Sequence, residues 1–304
     1  MRRFVALFAT LDTKGTEAAY LRDRLRERGV AVRLVDCGTL GKPAVEPDVT
    51  RDEVLAAVGT SVAELAKKGE RGEAVNAAAR GASELAQRWH AAGELAGVLG
   101  LGGSAGTTIG TAAMRALPLG VPKLMVSTLA SGAVGHYVGS SDMLLMNAVV
   151  DISGLNRISR TVLARAAQAM AGMALGELPK AEASDRPIVA ATMFGVTTPC
   201  VEHARALLEQ AGFEVLVFHA TGSGGRAMES LIDSGLIAGV LDVTTTELAD
   251  ELVGGVLSAG PDRLTAAATR VPELDLLVHV AQVVAAVERD PVARIDARAV
   301  LDAA

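Results

Sequence analysis

The sequence predicts an α/β protein made of two Rossmann-like three-layer domains with mainly parallel sheets, the second C-terminally shortened. Three observations point there. Short apolar runs alternate with segments of helical period and Gly-rich turns, the order that parallel βαβ units impose. The pattern of the first forty residues returns 184 positions later. The length, 304 residues, suits about two domains.

Each element follows from its residues. Phe4 to Phe8 is an apolar run, as in a strand buried on both faces. Thr10 to Gly15 follows as a polar turn. From Glu17 to Arg28, the residues Ala18, Leu21 and Leu25 recur at helical spacing with charges on the other face, and Gly29 ends the helix as a cap. Val30 to Val35 is a second strand, parallel to the first. Gly38 to Gly72 reads as an inserted arm, with Pro43, Pro47 and a helix start at Thr50-Arg51-Asp52-Glu53. Ala96 to Leu99 and Leu124 to Val126 are further strands. Ile152 to Gly176 reads as one long Ala-rich helix that packs closely on another surface.

The second half repeats the plan. Ile188 to Thr192 is a strand, Gly195 to Pro199 a turn, Val201 to Gln210 a helix stopped by Gly212, and Val215 to Phe218 a strand. Ala96-Gly97-Val98-Leu99 returns as Ala238-Gly239-Val240-Leu241, and Val121-Pro122-Lys123-Leu124 more faintly as Val271-Pro272-Glu273-Leu274. The expected division is a first domain over 1–178, a charged, Pro-flanked linker over 179–187, and a second domain over 188–304. Two copies of one plan explain the echo.

Composition narrows the function. Half of the residues are hydrophobic, which excludes disorder, and only 3% are aromatic, so the core is built from small branched side chains. A net charge of -6 argues against a nucleic-acid binder that relies on bulk basicity. Cys37 and Cys200 make no disulfide framework, which points to a reducing cytoplasm, and both are expected to be inert and at least partly buried. The start lacks the form of a signal peptide, and no charge-free apolar stretch reaches the ~18 residues of a membrane span.

Ligands of open parallel sheets bind beyond the carboxyl ends of the strands. Three turns have that address: Thr10 to Gly15, Gly100 to Thr108, and Ser127 to Gly132. The second is the most informative. Its glycines let backbone N–H groups approach an anion, the helix that follows presents its positive end, and Ser104, Thr107 and Thr108 add hydroxyls. A tight turn closing a βα unit is the plain alternative. Lys14, one of only six lysines, stands beside Thr13 in the first turn and offers a point charge for a phosphate; the plain alternative is a surface lysine near a helix start. Asp12 is either a turn or capping residue or a magnesium ligand. The spacing is not a Walker A motif. A dinucleotide fingerprint also fails: Gly100-x-Gly102-x-x-x-Gly106 is one residue too long, no acid ends the next strand, and Asp36 follows a turn without the glycines.

In the second half, Thr221 to Arg226 is another Gly-rich helix entry, with Arg226 able to face an anion. Thr244-Thr245-Thr246-Glu247 reads first as a helix cap. His219 ends a strand before the Gly-rich turn and is a better site candidate than His136. The five histidines make no metal-binding spacing, no G-x-S-x-G elbow is present, and the catalytic residues are unknown.

Several of these segments are long and distinctive: Thr10-Leu11-Asp12-Thr13-Lys14-Gly15, Gly100-Leu101-Gly102-Gly103-Ser104, Ser127-Thr128-Leu129-Ala130-Ser131-Gly132, Asp151-Ile152-Ser153-Gly154-Leu155-Asn156, Ala191 to Cys200 and Phe218-His219-Ala220-Thr221-Gly222. Together they resemble the Tm-one-like ATP-binding family, a bacterial family related to the amino-terminal region of a plant tomato mosaic virus resistance protein. The resemblance runs from residue 1 to about 265. It implies two Rossmann-like subdomains, ATP as ligand with or without magnesium, and a homodimer; the charge and the lack of a long apolar stretch add the expectation of no nucleic-acid or membrane partner. Carried over by motif, the nucleotide-binding candidates are Thr13, Lys14, Gly102, Gly103, Ser104, Gly106, Thr107, Thr128, Ser131 and Gly132. Ala9 and Ala133 depart from the family's usual Gly and acidic residue. From Val271 the chain diverges into an ordinary amphipathic pattern of Leu274, Leu277, Val280, Val284 and Val287, and members of the family are about a hundred residues longer. The expected role is an ATP-binding protein of regulatory or accessory type. The alternative is an ATP-dependent or sugar/phosphate-acting enzyme with its site in a cleft between the domains.

Overall fold

A computed structural model describes residues 3–39, 41–68, 70–177, 185–270 and 276–279. It divides into two compact units, Met1–Pro179 and Lys180–Ala304. The first contains β1 (Phe4–Ala9), α1 (Leu11–Arg26), β2 (Ala31–Asp36), α2 (Arg51–Ala56), α3 (Val62–Lys68), α4 (Arg71–Ala91), β3 (Leu95–Gly102), α5 (Ser104–Arg115), β4 (Lys123–Ser127), α6 (Gly135–Val138), β5 (Leu144–Asn147) and α7 (Arg157–Leu175). The second contains β6 (Ile188–Met193), α8 (Thr198–Gln210), β7 (Glu214–His219), α9 (Ser223–Asp233), β8 (Gly239–Asp242), α10 (Thr246–Val253), α11 (Thr265–Arg270) and β9 (Leu276–His279).

In the first unit the five strands are all parallel, in the order β2-β1-β3-β4-β5. All six residues of β1 are buried, which explains its unbroken apolar run: both faces of a central parallel strand are covered. Val5, Leu7, Leu99 and Leu101 pack on one face against Ala18, Leu21 and Leu25 of α1 and Leu163, Ala166 and Met170 of α7. Ala6, Phe8, Val98 and Met125 pack on the other against Ala78 and Ala82 of α4 and Ile109 and Met114 of α5. Each fully buried Leu or Phe contributes about 1.5–3 kcal/mol. Trp89 of α4 meets Phe4 edge-on at 5.4 Å, and the Arg33 guanidinium lies 3.8 Å over the Phe4 ring.

The second unit has a smaller parallel sheet, β7-β6-β8-β9. The two units share strand order and register: Val5 faces Gly97, and Val189 faces Gly239. The echo of Ala96–Leu99 in Ala238–Leu241 is therefore a structural equivalence. The fainter echo at Val271–Leu274, most of the 179–187 linker and the apolar positions from Val280 onward lie outside the described residues.

Two elements differ from the sequence reading. Helix α1 begins at Leu11, so Thr10 to Gly15 is its first turn and not a loop, broken only by non-helical backbone at Lys14 (φ -126, ψ 17). Helix α7 begins at Arg157 and not at Ile152, because Asn156 caps it: its side chain accepts from Ile158 and Ser159 N–H, both at 2.9 Å.

Candidate functional site

The order β2-β1-β3 makes β1 and β3 the topological switch point of the first unit. The chain leaves β1 toward α1 on one face and leaves β3 toward α5 on the other, and the opening between them is the ligand address of such sheets. The sequence candidates fall on this edge. Ala9 faces Leu101, Gly102 faces Ser127, and the Thr128 N–H reaches the Gly102 carbonyl at 3.3 Å. Thr13, Lys14, Gly102 to Thr107 and Thr128 thus stand on three neighbouring strand ends. Ser131 and Gly132 lie further out, exposed, in a turn closed by Gly132 N–H to Leu129 carbonyl at 3.0 Å. A hollow on the opposite, amino-terminal edge, lined by Arg3, Val30, Ala31, Ala96 and Leu175, holds none of them.

The two helix starts differ. That of α1 is closed by the chain itself: Leu11 N–H donates to Asp36 Oδ1 at 3.1 Å, as does Gly38 N–H at 2.8 Å, while Arg51 pairs with the other oxygen at 2.7 Å. Asp36 is thus a buried structural anchor, unable to serve a ribose. Asp12 is used as well, accepting Gly41 N–H at 3.2 Å. The start of α5 is open. Gly103 stands at its cap position without a side-chain bond, and among the described residues the N–H groups of Ser104, Ala105 and Gly106 have no acceptor. Thr107 N–H is the first to be used, by the Gly103 carbonyl at 2.8 Å.

The glycines of this turn have different roles. A Cβ on Gly102 would meet the Gly106 Cα at 2.7 Å, so those two let strand and helix approach. A Cβ on Gly103 would meet only Thr128 Oγ1 at 3.6 Å, an ordinary contact, so Gly103 borders open space.

Three of the candidates are engaged by the chain itself. Thr107 is fully buried, and its hydroxyl is bonded to Ser127 Oγ at 2.6 Å, which in turn accepts Leu129 N–H at 2.9 Å, so it braces the turn. Thr108 returns its hydroxyl to the Ser104 carbonyl at 3.0 Å. Lys14 is half-buried with its ammonium on the Ile152 carbonyl, so in this state it is held rather than free. Among the described residues no carboxylate pairs with it.

In the second unit two turns at the same edge are engaged by the chain itself. By register Thr244 stands where the first unit has Gly102, and its hydroxyl meets that of Thr197 at 2.6 Å, bridging the ends of β6 and β8. The Gly-rich entry to α9 is filled from within: Gly222 and Gly225 N–H donate to Glu247 Oε1 at 2.6 and 3.1 Å, and Arg263 Nε donates to Glu247 Oε2 at 2.8 Å. Arg263 also forks onto Asp242 at 2.7 and 2.9 Å and reaches Glu229 at 3.2 Å. Burial by itself would push the guanidinium down, but the hydrogen bonds and charges of Asp242 and Glu247 outweigh it and raise it. An internal carboxylate therefore occupies the expected anion place, and Arg226 is turned to the Ser258 carbonyl at 2.9 Å. Thr245 is at the cap position of α10 without a side-chain bond. Arg263 escaped the sequence reading because an isolated Arg in a loop carries no pattern.

The remaining candidates fit their plain readings. His219 is exposed and packs edge-on against Phe194 at 5.6 Å, and His136 lies 3.9 Å from Tyr137. Burial pushes the Cys37 thiol far up, with Asp36 adding to it, and burial raises Cys200 as well. Among the described residues no three His, Cys, Asp or Glu side chains converge on a metal position, and no helix is long and apolar enough to cross a membrane.

Comparison with known proteins places the chain. Residues 3–179 match the model of the N-terminal domain of an uncharacterised protein family, UPF0261, and residues 186–288 match its C-terminal domain. A UPF0261 protein of Clostridium tetani is 47% identical over 267 residues, covering 88% of this chain and 66% of that protein. A second, RA0729 of Rhizobium meliloti, is 48% identical over 87% of this chain and 65% of its own length. The ToMV susceptible protein tm-1(GCR26) of Solanum lycopersicum is 40% identical over 281 residues, 86% of this chain and 37% of that protein. The chain spans about two thirds of the length of the bacterial relatives it matches. Among solved structures, a Streptomyces glycosyltransferase complexed with thymidine diphosphate matches 88% of the chain at 13% identity and a TM-score of 0.24, an overlap too small to carry any argument.

Proposed function

The chain belongs to the uncharacterised protein family UPF0261, and we propose that within it the protein is an ATP-binding protein of regulatory or accessory type. The observation that carries this reading is the open start of α5 at the switch point between β1 and β3. Three unengaged N–H groups and the positive end of a 12-residue helix suit a phosphate.

The residues present fit a polyphosphate chain. The amides of Ser104, Ala105 and Gly106 would take one phosphate, with the exposed Ser104 hydroxyl beside them. Thr13 and Lys14 would meet the next group from β1, and Thr128, Ser131 and Gly132 would form the outer wall. Magnesium would have to arrive with the nucleotide, as Asp12 is held by the chain. A homodimer and a cytoplasmic setting belong to the same reading.

Calorimetry with ATP, ADP and inorganic phosphate tests it, using wild type and Gly103→Asp. The backbone of Gly103 (φ -86) accepts a side chain. Aspartate there would cap α5 and place a carboxylate where the phosphate belongs. The expected result is ATP affinity reduced at least tenfold with a melting temperature equal to or above wild type. Unchanged affinity removes α5 from the site, and no heat from wild type with a cooperative melt ends the ATP reading. Consumption of bound ATP over hours with small phosphorylated substrates would favour the enzyme reading.

A further inference from the structure

We infer that Glu17 is a positioning residue for Lys14, acting through the turn Ile152–Gly154; this rests on the reading that the β1/β3 opening takes phosphate. Helix α1 lays a stripe of Leu11, Ala18, Leu21 and Leu25 on the sheet, all buried. Lys14 and Glu17 fall on the same stripe, where a plain amphipathic helix carries apolar side chains. Glu17 is nevertheless a carboxylate, and it is 2% exposed.

What this carboxylate does is specific. Glu17 Oε1 accepts the Gly154 N–H at 2.5 Å, and no cation pairs with it among the described residues. One turn earlier on the helix, the Lys14 ammonium donates to the Ile152 carbonyl. The two side chains thus grip one short turn by a donor and an acceptor two residues apart. Ile152 is itself 3% exposed and anchored in the core, and Ser159 and Asn156 fix the chain beyond it at the start of α7. Glu17 holds the turn, the turn's carbonyl holds the ammonium, and the ammonium is thereby fixed in the first turn beyond β1. A lysine has four rotatable side-chain bonds, so fixing its tip beforehand removes ordering that a ligand would otherwise impose.

The test is a double-mutant cycle on the full chain, with ATP affinity read by calorimetry and folding by thermal melt. Lys14→Met is expected to weaken ATP about tenfold. Glu17→Val, which cannot accept the Gly154 N–H, is expected to melt cooperatively near wild type and to lose most of the same factor. The double variant should bind within about twofold of Lys14→Met alone, because Glu17 acts only through that lysine. Glu17→Gln, whose amide oxygen still accepts the Gly154 N–H, should restore binding to within about twofold of wild type. ATP bound by Glu17→Val as tightly as by wild type overturns the assignment, as do single effects that multiply in full. If Glu17→Val does not fold, Glu17→Met replaces it; if neither folds, Glu17 holds the fold and not the lysine, and the assignment falls. A wild type that binds no ATP removes the phosphate reading itself, and this assignment with it.

Discussion

Replacing Arg263 by Met tests how the second unit is held together. The guanidinium is fully buried and is bonded to Asp242, Glu247 and Glu229 at 2.7 to 3.2 Å. Methionine keeps the length and removes the charge. Asp242 would retain the Thr192 hydroxyl at 2.5 Å, and Glu247 the two glycine amides, but both carboxylates would be buried with no cation. Breaking a buried ion pair from one side costs about 3–5 kcal/mol, a large share of the roughly 5–15 kcal/mol that stabilises a domain. For a unit of this size that is a fall of about 10–20 °C in melting temperature. Arg263→Lys should fall between, as an ammonium cannot fork onto Asp242 while reaching Glu247. The assay is a thermal melt of the full chain with hydrogen exchange read separately in β6 to β8 and in β1 to β4. A loss below about 1 kcal/mol, or one shared equally by both sheets, would refute the reasoning.

Two further variants probe neighbouring features. Glu247→Ala leaves a carboxylate-sized space between Gly222 N–H, Gly225 N–H and Arg263, so acetate or formate should raise its melting temperature by several degrees more than that of wild type; equal shifts would show that the place cannot take an anion. Asp142 pairs with the buried Lys123: burial pushes its carboxyl up, but the hydrogen bonds from Lys123 and Gly120 and the lysine charge hold it below its usual 3.8. Its contribution is therefore present above that pH and is lost as pH falls through the folded value. Asp142→Asn should cost about 1 kcal/mol near neutrality and approach wild type in acid melts below pH 3.8. A difference that persists there would place its origin elsewhere.

What could be read beforehand followed from period and punctuation. The buried strand Phe4–Ala9, the amphipathic stripe of α1 and the glycine stops made the βα units visible, and their recurrence gave the duplication. The sequence could not say where side chains spend their hydrogen bonds. Thr107 looked like a phosphate donor, because a hydroxyl in a Gly-rich turn looks the same whether it faces solvent or Ser127. Thr10 to Gly15 looked like a loop because its polar residues concealed a helix start that Asp36 caps from 25 residues away. The Gly-rich entry to α9 looked open because its occupant, Glu247, comes from the next helix. In each case the deciding partner is distant along the chain, where local pattern carries no information.

The edge-on contact of Trp89 with Phe4 has a practical consequence. Trp89 is the only tryptophan, and both tyrosines, Tyr20 and Tyr137, also belong to the first unit. The second unit is thus almost transparent near 280 nm and silent under excitation at 295 nm. Intrinsic emission follows one half of the molecule, whereas circular dichroism sums both. A transition that circular dichroism registers and the emission does not therefore belongs to the second unit, and is assigned without a label.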